Sequence, residues 1–198
     1  MNPRLIRFFQ FIRNRGYDVE ITLLKEPVQG VNGDFTCLRD CKRCQSTPRD
    51  PRKQAELQKW IKLQGKYWFV AAANVKSACP RSPNGISPHC HLGDGCLDLV
   101  LVKHGSIFDN LRLLMTVSSK KKSMYDLPFV EVHRTQQFKL DAHPQRCRSC
   151  DLSSWNCDGE IIQEPSVFIQ THRQVLTVFY RGAEQTLPKT KKRFCWCF

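Results

Sequence analysis

The chain has 198 residues, of which 41% are hydrophobic, so it can bury a sizeable core and a wholly disordered chain is excluded. Its 31 Lys and Arg outnumber its 18 Asp and Glu, and the net charge of +13 favours an anionic partner: nucleic acid, a membrane surface or phosphates. Because it shows neither a secretory signal nor the roughly 18–20 residue apolar run of a membrane helix, we expect a cytoplasmic protein whose 11 cysteines are thiols or metal ligands rather than disulfides.

The first sixty residues combine a helical pattern, a strand pattern and a long irregular stretch. Apolar residues from Leu5 to Ile12 recur at helical spacing among arginines, which predicts an amphipathic helix that packs on the protein's own core or lies on a membrane surface. Alternation over Val19 to Leu23 predicts a half-buried strand. We interpret residues 27–63 as a Cys-rich loop insertion, and expect a short helix over residues 53–63.

Strand patterns dominate the rest of the chain. The predicted strands are Tyr67 to Val75, Leu97 to Val102, Phe129 to His133, Gln137 to Leu140, Ser166 to His172 and Val175 to Tyr180, with one helix at Ile107 to Thr116. The regular alternation of helices and parallel strands that is typical of nucleotide-binding folds is missing. We therefore predict a mainly β (α+β) fold: an antiparallel β-sandwich with a few short helices over residues 1–188, followed by a basic, disordered tail at 189–198.

Two groups of cysteines have the spacing of zinc ligands. The first is a C-x3-C-x2-C cluster formed by Cys37, Cys41 and Cys44, and the second is the C-x2-C pair Cys147 and Cys150. Cysteines two residues apart can bind one zinc ion as thiolates, so Cys41, Cys44, Cys147 and Cys150 would complete a site of four thiolates. The alternative is that these are free or redox-sensitive loop thiols.

Two acidic motifs could carry other chemistry. Asp94 and Asp98 stand at the entrance of a predicted strand, where they could hold a cation such as magnesium or simply form a turn. Asp158 and Glu160 flank Gly159, and one carboxylate could act as a general base while the other orients it. In an extended backbone their equal parity would point both side chains to one side, whereas an exposed turn is the alternative.

Five ordered blocks together resemble the C-terminal part of ceramide kinases, within the diacylglycerol, sphingosine and ceramide lipid-kinase family. The blocks are the cysteine cluster, R-S-P-x-G-x-S-P, H-L-G-D-G-x-x-D-L, F-V-E-V and S-W-N-C-D-G-E, found at Cys37 to Cys44, Arg81 to Pro88, His91 to Leu99, Phe129 to Val132 and Ser154 to Glu160. The resemblance implies a C-terminal β-sandwich that helps to form the lipid pocket, with ATP bound by an N-terminal domain. It further implies that Asp158 is the catalytic base supported by Glu160, and that Asp94 and the Cys96 carbonyl could hold magnesium.

We therefore predict the lipid-binding C-terminal domain of a ceramide kinase, a transferase of sphingolipid metabolism that phosphorylates ceramide with ATP and magnesium. No G-G-D-G phosphate loop occurs in these residues, so this chain alone is expected to be inactive. The expected partners are ceramide or a related lipid and an anionic membrane surface, with peripheral membrane association and no nucleic acid. The alternatives are a stand-alone, non-catalytic lipid-binding protein and a basic zinc module that binds nucleic acid.

Overall fold

Residues 14–24, 59–87, 90, 95–142, 155–172 and 175 are described by a computed structural model. Among them are one α-helix, α1 (Ile107–Val117), a single 3-10 turn (Met124–Asp126), and eight strands: β1 (Tyr17–Leu24), β2 (Trp60–Ala73), β3 (Leu97–Lys103), β4 (Val130–Thr135), β5 (Gln137–Ala142), β6 (Trp155–Cys157), β7 (Glu160–Ile162) and β8 (Ser166–Gln170). Each described strand pairing is antiparallel. The predicted mainly β fold is confirmed.

Six strands form one sheet in the order β4-β3-β2-β1-β5-β8, and β6 pairs with β7 in a second, two-stranded sheet. β1 lies between β2 and β5, with Ile21 opposite both Leu63 and Leu140. These residues belong to an apolar cluster on one face of the large sheet, and Trp155 of the small sheet packs against that cluster. The second sheet is therefore attached to the first by an aromatic contact.

β3 is covered on both faces, as its continuous apolar sequence predicts. Leu97, Leu99 and Leu101 lie in the cluster that also contains β1 and β5 residues. Val100 and Val102 point to the opposite face and pack with Leu113 of α1, Met124, Leu127 and Val130. Among the described residues, this second cluster covers the β3–β4 part of that face. β1 and β5 carry charged residues on the same face, such as Glu20 and Lys139.

β2 begins earlier than the sequence predicts. Trp60 to Leu63 pair with β1, so the predicted helix over residues 53–63 is wrong for these four residues, which were also the end of the predicted Cys-rich loop. Ile61 and Leu63 pack against the core while Lys62 reaches Glu20 at 2.7 Å. This period of two is that of a half-buried strand, and pairing with β1 overrides the weak helical preference of a polar segment.

α1 is fixed at its start by a capping box between Ser106 and Asp109. The Ser106 hydroxyl accepts a hydrogen bond from the Asp109 backbone N–H at 3.2 Å, and the Asp109 carboxylate accepts one from the Ser106 N–H at 2.9 Å. The Asp109 carboxylate also accepts a hydrogen bond from the Ser106 hydroxyl at 2.7 Å. The hydrogen bonds that the Ser106 hydroxyl and backbone N–H donate to this carboxylate hold the pKa of the Asp109 carboxyl below its ordinary value. The predicted helix at Ile107 to Thr116 is confirmed.

Several predictions lie outside the described residues. They are the N-terminal helix at Leu5 to Ile12, the Cys-rich loop up to residue 58, nearly all of the strand predicted from Val175 to Tyr180, and the tail at 189–198. Within the described part of the chain, no helix has the length and hydropathy that a bilayer-spanning segment requires.

Candidate functional site

The D-G-E block lies at the tip of the hairpin that joins β6 to β7. Cys157 pairs with Glu160, which leaves Asp158 and Gly159 as a two-residue turn. Their φ angles are +51° and +105°, as a type I′ turn requires at both central positions. An Asp-Gly pair suits this turn because aspartate tolerates the left-handed region better than most residues and glycine has no Cβ to clash.

The hairpin fixes its tip while leaving the carboxylates open to solvent. The side-chain oxygen of Asn156 accepts a hydrogen bond from the Gly159 backbone N–H at 2.8 Å, which ties the turn to β6. Trp155, at the start of β6, packs against the core of the large sheet. Asp158 and Glu160 are both exposed. The pair is therefore held on an anchored hairpin and faces away from the core.

The premise that Asp158 and Glu160 share one side of an extended strand is wrong. Asp158 is a turn residue with positive φ, whereas Glu160 is the first residue of β7. Alternation of side chains applies only within a strand, so it does not relate a turn residue to the strand that follows. The structure does bring both carboxylates to the same end of one hairpin, and their catalytic roles remain predictions.

The entrance of β3 is tied to neighbouring elements by hydrogen bonds. The Gly95 carbonyl, at a residue with φ +67°, accepts a hydrogen bond from the Thr171 hydroxyl at 2.6 Å. Cys96 is buried, and its sulfur accepts a hydrogen bond from the side-chain amide of Gln136 at 3.9 Å. Asp94 lies outside the described residues, so the proposed magnesium ligands Asp94 and Cys96 stay a prediction.

Asp98 does not stand at the strand entrance as a free carboxylate. It is only 3% exposed, and its Oδ2 accepts a hydrogen bond from the Ser87 hydroxyl at 2.5 Å. Ser87 Oγ in turn accepts a hydrogen bond from the Cys90 N–H at 3.3 Å. The carboxylate is thus used to anchor the Gly- and Pro-rich segment that precedes β3, a role that the sequence reasoning missed although it noted Asp98 itself.

A tyrosine completes this buried polar group. The Tyr125 hydroxyl donates a hydrogen bond to the Ile86 carbonyl oxygen, next to Ser87. Burial, with electrostatic interactions with Asp98 and Cys90 adding to it, raises the pKa of Tyr125 well above its ordinary value. Tyr125 therefore stays a neutral donor at any physiological pH. Its placement could not be read from the sequence, because it depends on the 3-10 turn packing beside β3.

The F-V-E-V block provides β4 with an ion pair. Glu131 lies 2.6 Å from the Lys103 ammonium and 3.6 Å from His133 Nε2. The hydrogen bond from Lys103 holds the pKa of the Glu131 carboxyl below its ordinary value. Burial, together with the charge of Glu131, raises the pKa of the nearby Tyr67. This block therefore links β4 to β3 and β2 electrostatically.

Comparison with known sequences identifies the family of the chain. The family model of the ceramide kinase C-terminal domain matches residues 7–198. The chain belongs to the ceramide kinase C-terminal domain family. This finding agrees with the five sequence blocks and with the mainly β fold.

Curated relatives carry the same family name. Human ceramide kinase is 34% identical over 158 residues, which cover 68% of this chain and 29% of that protein. Rice ceramide kinase is 30% identical over 206 residues, which cover 88% of this chain and 33% of the relative. The human ceramide kinase-like protein is 23% identical over 162 residues, which cover 75% of this chain and 28% of that protein. The chain thus spans about a third of the length of these relatives.

The cysteine predictions for this ceramide kinase C-terminal domain concern residues that the structure does not describe. Cys37, Cys41, Cys44, Cys147 and Cys150 all lie outside the described ranges. Four described cysteines form no disulfide: Cys79 and Cys157 are exposed, and Cys90 and Cys96 are buried. Among the described residues, no group of three or more His, Cys, Asp or Glu side chains could hold a metal ion.

Proposed function

We propose that this chain is the lipid-binding C-terminal part of a ceramide kinase, which transfers the γ-phosphoryl group of ATP to the primary hydroxyl of ceramide. Membership of the family and the ceramide kinase names of its relatives support the substrate class. The single observation on which the catalytic proposal rests is the β6–β7 hairpin, which holds Asp158 exposed on a turn whose conformation is fixed.

The proposed role of Asp158 is that of a general base. A primary alcohol is a poor nucleophile at neutral pH, so its proton must be accepted as its oxygen forms the new bond to phosphorus. The ceramide O–H donates a hydrogen bond to the Asp158 carboxylate, and the proton passes to that carboxylate as the bond from the γ-phosphorus to ADP breaks. Glu160, at the same end of the hairpin, supports Asp158 by orienting the base.

ATP supplies the phosphoryl group in such a reaction, and Mg²⁺ neutralises its charge. The described residues do not fit a resident cation, since they contain no cluster of three candidate ligands and since the Asp98 carboxylate already accepts a hydrogen bond from Ser87. We therefore assign no step to a metal in this part of the chain. Binding of ATP is assigned to a separate N-terminal domain of the enzyme.

The proposed partners are ceramide or a related lipid and an anionic membrane surface, at which the protein associates peripherally from the cytoplasm. The net charge of +13 supports the second partner, because an excess of lysine and arginine attracts anionic headgroups. Ceramide is a membrane lipid, so a kinase that acts on it gains from lying at that surface.

The catalytic proposal is tested with Asp158→Asn in a kinase that joins this chain to its ATP-binding domain. The substitution keeps size and removes basicity, so we expect turnover to fall by roughly 100-fold or more at unchanged melting temperature. Asp126→Asn is the matched control, because Asp126 is also exposed and also lies in a tight local structure, the 3-10 turn. If the Asp158→Asn variant turns over as fast as the wild type, Asp158 is not the general base. If the unsubstituted kinase shows no turnover, a non-catalytic lipid-binding protein is favoured.

A further inference from the structure

The outer face of α1 is apolar although it faces solvent. Four large side chains share this face at helical spacing: Phe108 is 75% exposed, Leu111 48%, Leu114 46% and Met115 69%. Helices on the surface of a soluble protein ordinarily turn such a face toward the core. We call these four side chains the apolar helix face. A contiguous exposed patch of this kind marks an interaction surface.

The inner face of α1 prevents the helix from turning the apolar helix face inward. The buried residues of α1 are Asn110, Leu113 and Thr116, of which two are polar. The Asn110 side-chain amide donates a hydrogen bond to the Asn14 side-chain oxygen at 2.6 Å, and the Asn14 amide donates one to the Gly105 carbonyl at 2.8 Å. Rotating the helix would break these bonds and expose Leu113, so the orientation is built into the domain.

A run of lysines directly follows the helix. Lys120, Lys121 and Lys122 are all exposed. Asn84 holds this segment in place, since its side-chain amide donates hydrogen bonds to the carbonyl oxygens of Ser119 at 3.2 Å and Lys122 at 3.1 Å. Arg112, also exposed, lies on α1 beside the apolar helix face. Arg112 therefore lies beside the apolar side chains, and three further exposed cations follow the C-terminal end of the helix.

We propose that the apolar helix face and the Lys120–Lys122 run form the surface that docks on an anionic membrane. The helix lies along the bilayer plane, with its apolar side chains entering the headgroup region and the lysines contacting anionic headgroups. Two observations favour a lipid surface over a protein groove that encloses a helix. The inner half of α1 is packed on the sheet, so one face is offered. The helix and the segment that follows it also carry four exposed cations, which suit anionic headgroups. The inference rests on the membrane association proposed above and specifies its surface.

The experiment measures sedimentation of the purified chain with phosphatidylcholine vesicles that do or do not contain phosphatidylserine. The wild-type chain is expected to bind the anionic vesicles, and less so as salt rises. Phe108→Gln with Met115→Gln should weaken this binding by about 10-fold or more, since two exposed apolar side chains lose their lipid contact. Replacing Lys120, Lys121 and Lys122 by Gln should weaken it at low salt by about fivefold per lysine.

Phe168→Gln is the matched control for the apolar substitutions. Phe168 is 57% exposed, but it lies on β8 at the opposite edge of the sheet from β4, and its variant should bind as the wild type does. Wild-type binding that survives both the apolar and the lysine substitutions would overturn the inference and leave membrane association intact. Absence of wild-type binding to any vesicle would overturn both, while the test of Asp158 would still decide the catalytic proposal separately.

Other occupants of the apolar helix face give distinct results. If the double variant converts a dimer into a monomer and leaves vesicle binding unchanged, a second copy of the chain covers the face. If the double variant lowers the melting temperature without lipid as strongly as a core substitution does, another segment of the chain covers it. Either result would overturn the inference.

Discussion

The Asn156 side-chain oxygen lies 2.8 Å from the Gly159 backbone nitrogen and accepts its hydrogen bond across the tip of the β6–β7 hairpin. This bond spans Asp158, so it fixes the backbone on both sides of the proposed base. Such a bond fixes the position of a loop side chain, because the turn is already ordered before the substrate binds. The hairpin geometry is therefore a testable part of the catalytic proposal.

We expect Gly159→Ala to lower turnover by roughly 10-fold with little change in the melting temperature. Gly159 has a φ of +105°, which an L-residue adopts only with strain of about 1–2 kcal/mol, yet nothing lies within 4 Å of the position that a Cβ would take. The effect would thus come from the backbone alone and would stay local to an exposed hairpin. Kinase turnover and thermal unfolding of the same samples check it, and normal turnover would show that the turn conformation is dispensable.

Thr135→Val should lower the free energy of unfolding by about 1–3 kcal/mol. Thr135 is fully buried between β4 and β5, and its hydroxyl lies 2.8 Å from both the Leu24 and the Gln137 carbonyl oxygens. A hydroxyl donates one proton, so valine would leave at least one buried carbonyl without its donor. Urea unfolding measures the loss, with Thr135→Ser as the control that keeps the hydroxyl. A valine variant as stable as the wild type would contradict this account.

The Lys103–Glu131 ion pair should contribute to the pH dependence of stability at acidic pH. The pKa of Glu131 lies below its ordinary value of 4.5 in the folded protein, because Lys103 donates a hydrogen bond to it. The stabilisation is therefore complete above about pH 4.5 and is lost as the pH falls through the folded value. Since solvent screens both partly exposed groups, we expect the contribution of the pair to be small.

Two variants isolate this contribution. The free energy of unfolding of each variant is measured between neutral and acidic pH. Glu131→Gln and Lys103→Gln should each reduce its dependence on acidic pH by the same amount. An unchanged slope in both variants would mean that the pair, 2.6 Å apart in the structure, has no energetic effect.

The zinc hypothesis predicts about one zinc ion per purified chain, bound by four thiolates. Replacing Cys147 and Cys150 by serine should remove the metal, as measured by elemental analysis. Replacing Cys79 and Cys157, which are exposed free thiols, is the matched control and should leave the zinc content unchanged. If the chain purifies without zinc, or if the control variant loses as much zinc, the hypothesis is wrong. The four cysteines would then be interpreted as loop thiols.

Local sequence patterns predicted much of the described fold. β1, β3 and α1 were predicted because burial imposes a recognisable pattern on the apolar residues of each. These residues alternate in β1, form a continuous run in β3 and recur at helical spacing in α1. The start of β2 was missed because Trp60 to Leu63 mix polar and apolar residues, and only pairing with β1 decides their conformation. For Asp158, the sequence analysis named an exposed turn as the alternative to an extended strand. The sequence could not decide between them, since a two-residue turn depends on which residues pair across it.

The sequence by itself determined the family, the mainly β class and the D-G-E block, because these depend on residue order and local periodicity. Tertiary structure alone decided what individual polar groups do. Asp98 is an anchor for Ser87 rather than an open ligand, and Asn110 turns inward to Asn14 so that Phe108 and Met115 face solvent. The physical reason is that such partners are up to 96 residues apart, a separation over which no local pattern carries information.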